Sequence, residues 1–391
     1  MNEHLSTTLT VYYSILLSMI FCFSSYWFMP SDRLVKIQQK SIFYDIRFLI
    51  PCILYTILLG FRWDFAFDWW QYYQTFEYIQ RGQLYRETTE KGYLLINLLL
   101  GKAGLNYYSI FLLECFTFFT SIFLLLKHNR KGLVIGLCFV FIAMRFRCLN
   151  LSRQHFAMSV LWIGFYFLLK NKVKSYLLFA FLACSIHTSA ILWIIPFYLS
   201  RYIHKFLNFK IALIVFISCY VLKTVVFDFL INASSVVTAI LITNKSYDAS
   251  SMLADNFMWE EQSPMRMTVN FIKGIAYIVC MYYCLNQKRI KDSRDYIILV
   301  LGYISLCITV FGTTHEIISR FMLYFSVFTF LGWGIIWVHI WNDRHKVSPY
   351  ILFLAIITLL HYFYSMYPTI ISEFESHIYI EYKWNTLSLF K

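Results

Sequence analysis

The chain has 391 residues, 59% of them apolar and only 14% charged, with a formal net charge of +13. That balance excludes a soluble globular domain and describes a protein whose solvent is largely lipid. The positive charge sits in short loops of the kind that face anionic lipid, so it does not signal nucleic-acid binding.

Apolar runs of about 20 residues recur from end to end, long enough to cross a hydrocarbon core of ~30 Å. Spans are expected near 8–29, 46–61, 107–126, 132–148, 155–169, 175–200, 211–231, 266–285, 296–313, 321–341 and 348–367. The first run begins without Lys or Arg and without a small-residue cleavage site, so it reads as a retained span. No linker, low-complexity tract or fixed-period repeat divides the chain, which predicts one membrane domain over 1–391.

Basic residues orient the bundle. Arg33, Lys36, Lys40 and Arg47 share one connection, and Lys127, Arg130 and Lys131 the next on that side. Lys170, Lys172 and Lys174 follow, then Arg201, Lys205 and Lys210, then Lys288, Arg289, Lys291 and Arg294, then Arg344 and Lys346. The positive-inside bias places these in the cytoplasm. Two consequences follow for the topology. The short apolar stretch 92–104 must lie on or dip into the outer leaflet, and 175–200 must leave and return to the cytoplasmic side, turning near His187. The outer face then receives the segment 62–106, the connection 145–154, a loop at 232–265, residues 313–320 and the C-terminal tail.

The segment 62–106 is the most polar of these. It packs Arg62, Asp64, Asp68, Glu77, Arg81, Arg86, Glu87 and Glu90 among Trp63, Trp69, Trp70, Tyr72 and Tyr73. Aromatic rings suit the membrane–water boundary, and charges there need water or each other. Such a surface would stack on sugar faces and accept hydrogen bonds from hydroxyls; an interfacial anchor helix is the alternative. Arg145, Arg147 and Arg153 crowd one outer connection against the charge bias. Either a phosphate holds them, matched by the guanidinium fork, or they pair with Asp64, Asp68 or Glu90. His187 lies inside an apolar run, where an ionisable group faces a cavity or a polar partner.

His315-Glu316 begins like a zinc-protease motif, but Ser319 stands where the second histidine must be, so no metal is expected. Glu316 and Arg320 are four apart and can pair on one helix face. The ten cysteines form no CxxC and predict neither a disulfide framework nor a thiolate metal site. No cofactor is expected.

The ordered set Arg62, Asp68 with Tyr72 and Phe76 at four-residue steps, Glu90-x-Gly92-Tyr93, Arg153-Gln154, His187-x-Ser189-Ala190, and Arg320 followed by Tyr324 resembles the EpsG family of bacterial membrane proteins. That family is related to the Wzy-type polysaccharide polymerases. Where the family commonly has a glycine two residues before the aspartate, this chain has Ala66, and its Arg-to-Asp spacing is six. The resemblance implies an all-α, polytopic bundle of about 10–14 transmembrane or re-entrant helices, like Wzy and O-antigen ligase and of GT-C type. It implies a multi-pass inner-membrane enzyme of exopolysaccharide, capsule or O-antigen assembly. Its substrate would be an undecaprenyl-diphosphate-linked oligosaccharide, polymerised at the outer face without a metal. Flippase and chain-length regulator proteins would be its partners, beside membrane lipid.

On that reading Arg153 and Arg320 bind the diphosphate, and the catalytic base is one of His187, Asp68 and Glu90, in that order. Arg62, Trp69, Trp70, Tyr72, Gln154 and Glu316 contact sugar or lipid carrier. Two other classes use similar residues. A transporter or flippase for lipid-linked sugars needs a polar path through both leaflets, and the polar inserts cluster on one face. A membrane-bound sugar acyltransferase needs an intramembrane histidine reached from the cytoplasm, and His187 lies nearer the middle or outer side.

Overall fold

The structure is a computed structural model. It describes the backbone of residues 3–63, 68–84, 89–203, 207–222, 225, 264–286, 293–312, 316–375 and 383–384. Side chains are described for these except 3–9, 63, 145–150, 264–266, 293, 312, 316–321, 363, 365–375 and 383–384. The expected outer loop at 232–265 lies almost wholly outside the described residues.

The chain is an all-α, polytopic membrane protein. Among the described residues, four helices are long and apolar enough to cross a membrane, at Tyr108–Leu125, Met267–Asn286, Arg294–Phe311 and Met322–Asn342. Shorter apolar helices occur at Thr10–Ser24, Ile46–Gly60, Val173–Ile186, Phe209–Val221 and Pro349–Tyr362. The residues divide into two compact units, Met1–Ile194 with Leu360–Lys391, and Ile195–Leu359.

In the first unit, α1 (Glu3–Ser24), α3 (Ile46–Gly60), α6 (Tyr108–Leu125), α7 (Arg130–Asn150), α8 (Ser152–Leu169) and α9 (Val173–Ile186) form the bundle. The short α2 (Ser31–Gln39) buries no residue. Aromatic side chains fill the space between α3 and α6: Phe48 lies 4.4 Å from Phe123 and Tyr55 stacks on Phe118 at 6.0 Å. Asp45, which caps α3, sits in a polar cluster at that helix's start. Its carboxylate accepts from the Tyr26 hydroxyl at 2.5 Å and from the fully buried Arg130. Arg130 also donates to the Ile37 carbonyl at 3.2 Å, tying α7 to α2. This lock lies at the basic-loop end, and α3, about 22 Å long at 1.5 Å per residue, carries the chain to the opposite end.

At that opposite end, α4 (Trp69–Gln80) and α5 (Lys91–Lys102) pack together as a short pair. Gln80 donates to the Asn97 carbonyl at 2.9 Å. α5 has 12 residues, so it spans about 18 Å, too short for a bilayer. It buries Tyr93 and Asn97 while exposing Leu95 and Leu99, the pattern of a helix half sunk in an interface. Arg62–Trp63 (β1) and Lys383–Trp384 (β2) pair as a two-residue antiparallel bridge, a contact the sequence did not announce.

The expected span 175–200 is broken. α9 ends at Ile186, His187 adopts extended backbone at φ −152°, a turn follows at Thr188–Ala190, and α10 (Ile191–Ile203) begins. The Tyr176 hydroxyl donates to the Ile194 carbonyl at 2.5 Å, so α10 starts back alongside α9.

In the second unit, α11 (Phe209–Val221), α12 (Pro264–Asn286), α13 (Ser293–Gly312) and α14 (Glu316–Asn342) pack against one another, and α15 (Pro349–Glu375) leads out of it. Tyr277 donates to the Leu299 carbonyl at 3.0 Å. Its hydroxyl occupies the space that a Cβ at Gly302 or Gly332 would fill, which is why these two helix positions carry no side chain.

Candidate active site

The site forms where α4–α5, the start of α8 and the break after α9 meet, all within the first unit. Glu90 is the N-cap residue of α5. Its carboxylate accepts from Arg153 Nη1 at 2.8 Å and meets His187 Nδ1 at 2.6 Å. The Thr188 backbone N–H and hydroxyl reach the same oxygen as His187, at 3.3 and 3.4 Å. Side-chain exposure is 11% for Glu90, 25% for Arg153 and 26% for His187, so the carboxylate is enclosed while both partners keep an open edge.

Local sequence explains the meeting. A Cβ added at Gly92 would lie 2.3–2.6 Å from the Ser185 hydroxyl, carbonyl oxygen and carbonyl carbon. Glycine is therefore what lets the first turn of α5 touch the last turn of α9, two residues from Glu90 on one side and two from His187 on the other. Tyr93, one turn after Glu90, is buried with its ring 5.9 Å from the Arg153 guanidinium. Tyr72 lies beside the same guanidinium. The motif Glu90-x-Gly92-Tyr93 thus supplies an acceptor, a close approach and an aromatic wall.

Burial acts to raise the Glu90 pKa, but the His187 hydrogen bond and the charges of His187 and Arg153 outweigh it, and the carboxyl is held down at about 2. An ionised carboxylate can only accept, so His187 Nδ1 carries the proton in this contact. The other ring nitrogen, Nε2, is an acceptor whenever the imidazole is neutral.

Beneath these groups lies a closed polar layer. Arg62 is 1% exposed. It donates to the Leu59 carbonyl at 2.8 Å and to the Ser152 hydroxyl at 3.0 Å, and lies over the Phe111 ring at 4.3 Å. Glu114, buried in α6, accepts from the Tyr93 hydroxyl at a long 3.5 Å and is also a neighbour of Ser152. With Tyr55, Cys115, Phe118, His155 and Phe156, these residues line a cavity that leaves a water centre about 10 Å³, room for roughly one water.

The structure brings together three expected site residues, Glu90, Arg153 and His187, with Tyr72 alongside. Arg153 pairs with Glu90, one of the two options the sequence left open. Arg62, expected at sugar or carrier, is instead enclosed by protein, its guanidinium donating inward to Leu59 and Ser152. Trp69 is fully buried against Tyr73 and Phe111 and donates to the Arg62 carbonyl, so it packs rather than presents a stacking face. Trp70 is 45% exposed and keeps a face open. Gln154 is buried. Asp68 is the N-cap of α4, half-buried, within electrostatic reach of Tyr72. Arg320 and Glu316 fall in the first turns of α14 in the second unit, and their side chains, like all of His315, lie outside those described. The side chains of Arg145 and Arg147 do as well. Glu114 escaped the sequence reading because one acid inside an apolar run carries no motif. The cost of a carboxylate at membrane depth was the signal that could have found it.

The fold and this acceptor–guanidinium–imidazole cluster define a polytopic membrane protein with a polar site at one end of its helical bundle. The chain belongs to the EpsG family, whose model matches residues 45–384, and so to the exopolysaccharide-polymerase group of membrane proteins. Neither a curated protein nor a solved structure matches it.

Proposed function

We propose that this protein polymerises undecaprenyl-diphosphate-linked oligosaccharide repeat units at the outer face of the bacterial inner membrane, by metal-independent glycosyl transfer. The observation that carries the reading is the meeting of Arg153, Glu90 and His187 at the end of the bundle away from the basic loops. Ionised Glu90 is a poor base but a good orienting group. Through Nδ1 it fixes the tautomer and orientation of the imidazole, which leaves Nε2 to take a proton. His187 is therefore the base, ahead of Asp68, and Glu90 moves from third base candidate to orienting partner.

In the reaction, an acceptor hydroxyl gives its proton to His187 Nε2 as its oxygen attacks the anomeric carbon of the donor sugar. The bond from that carbon to the diphosphate oxygen breaks, and the lipid diphosphate leaves with the electron pair. Negative charge grows on the leaving oxygens, and Arg153 is placed to stabilise it electrostatically. Trp70 is proposed as a sugar-stacking ring. A flippase would supply the substrate, and a chain-length regulator would govern the product.

The test uses purified protein in lipid nanodiscs with a synthetic polyprenyl-diphosphate oligosaccharide. Products should grow by whole repeat units, and His187→Ala should abolish growth while leaving the protein folded. Movement of the lipid-linked unit across vesicles without elongation would instead identify a flippase and overturn the proposal.

A further inference from the structure

The mechanism leaves unused a buried layer that could not touch sugar or phosphate. Its cavity has space for about one water. Yet it holds an arginine and a carboxylate, groups that are costly at membrane depth and persist there only when paired or put to use.

The connectivity of the layer shows what it acts on. Arg62 Nη2 donates to the Ser152 hydroxyl at 3.0 Å. Having accepted from Arg62, that hydroxyl can direct its own proton only to another acceptor, and the neighbouring Glu114 carboxylate provides one. Ser152 is 1% exposed and begins α8. The next residue is Arg153. Glu114 also takes the Tyr93 hydroxyl at 3.5 Å, and the Tyr93 ring stands 5.9 Å from the Arg153 guanidinium. The layer thus grips the backbone immediately before Arg153 and the ring beside its side chain. The first turn of a helix is where unbonded backbone groups leave the chain least restrained, so a lock there decides where Arg153 aims.

We propose that Glu114, with Arg62 and Ser152, is the positioning layer of the site, fixing the start of α8 so that the Arg153 guanidinium is presented to the diphosphate of a lipid-linked substrate. This rests on the glycosyl-transfer reading above. None of the three contacts substrate; each acts through Arg153.

The experiment measures polyprenyl-diphosphate binding and elongation rate for full-length protein in nanodiscs, with thermal stability beside them. Ser152→Ala keeps the buried arginine and the carboxyl, and Glu114→Gln keeps the carboxyl's shape. Each should weaken binding and slow elongation about tenfold or more. In an Arg153→Lys background the same changes should add less than about twofold, because their route of action is already lost. Equal fractional losses in both backgrounds would mean a general structural role and overturn the proposal, as would unchanged binding and rate in Ser152→Ala. If Glu114→Gln does not fold, Ser152→Ala alone decides. Wild-type protein that neither binds the polyprenyl diphosphate nor elongates would overturn the glycosyl-transfer reading itself, and this proposal with it.

Discussion

The Glu90 carboxylate and the His187 imidazole meet at 2.6 Å, although 97 residues separate them. Helices α5 to α9 lie between the two, and what joins them is a missing side chain. Gly92 lets α5 rest against the Ser185 backbone, and the break after α9 turns His187 out of its helix toward the acid.

Gly92→Ala should therefore separate the pair. The added Cβ would meet main-chain atoms of Ser185, which cannot rotate away. Gly101→Ala is the control, because the nearest atoms its Cβ would meet belong to the end of the Gln80 side chain. Polymer output per unit of membrane protein should fall at least tenfold for Gly92→Ala and by much less for Gly101→Ala. Equal behaviour would argue against the α5–α9 contact as the determinant.

Arg153→Lys should slow elongation by about 10–150-fold, the equivalent of one charge-assisted hydrogen bond of roughly 1.5–3 kcal/mol. Lysine keeps the charge but loses the planar fork that can hold Glu90 and a phosphate oxygen together. Steady-state rates on a synthetic lipid-diphosphate oligosaccharide measure this, and a near-normal rate would withdraw the leaving-group role.

Glu90 gives a pH signature. Its folded pKa of about 2 lies below the ordinary 4.5, so its contribution to stability is fully present above about pH 4.5 and is lost as pH falls through about 2. The stability difference between wild type and Glu90→Gln should shrink as pH falls below about 4.5. Scanning thermal denaturation from about pH 7 down to pH 2 would check it; a difference that stays unchanged below about pH 4.5 would count against the low Glu90 pKa.

At the far end of α3, Arg130→Ala should strip Asp45 of its buried cationic partner. Removing one member of a buried pair costs about 3–5 kcal/mol, so the variant should accumulate poorly in membranes. Arg130→Ala/Asp45→Asn should recover part of the loss, read as protein level and melting temperature.

Topology can be checked by labelling. Gln83 and Asn106 are exposed in the α4–α5 segment and its exit, and Lys40 and Lys172 are exposed in basic loops. In a cysteine-depleted variant, single cysteines at Gln83 and Asn106 should react with an impermeant maleimide on intact cells, and those at Lys40 and Lys172 only after lysis. The reverse pattern would invert the membrane orientation and move the site to the cytoplasm.

Composition and spacing by themselves determined the lipid-embedded class, most span positions and the break near His187. Hydrophobic run length and loop charge answer to the bilayer, and the bilayer reads sequence locally. The same locality exposed Glu90, Arg153 and His187 as polar residues out of place. Which of them would touch was not local. Arg153 had several carboxylates within plausible reach, and only the packing of α5 on α9, permitted by Gly92, selected Glu90. Tertiary structure also reassigned residues whose types had suggested ligand contact. Arg62 and Trp69 look like surface chemistry in a polar, aromatic segment, but Phe111 packs against both, and a ring or guanidinium enclosed by helices holds the fold. Glu114 went the other way: one acid in an apolar span carries no pattern, and only Ser152 and Tyr93 coming to it in space give it a purpose.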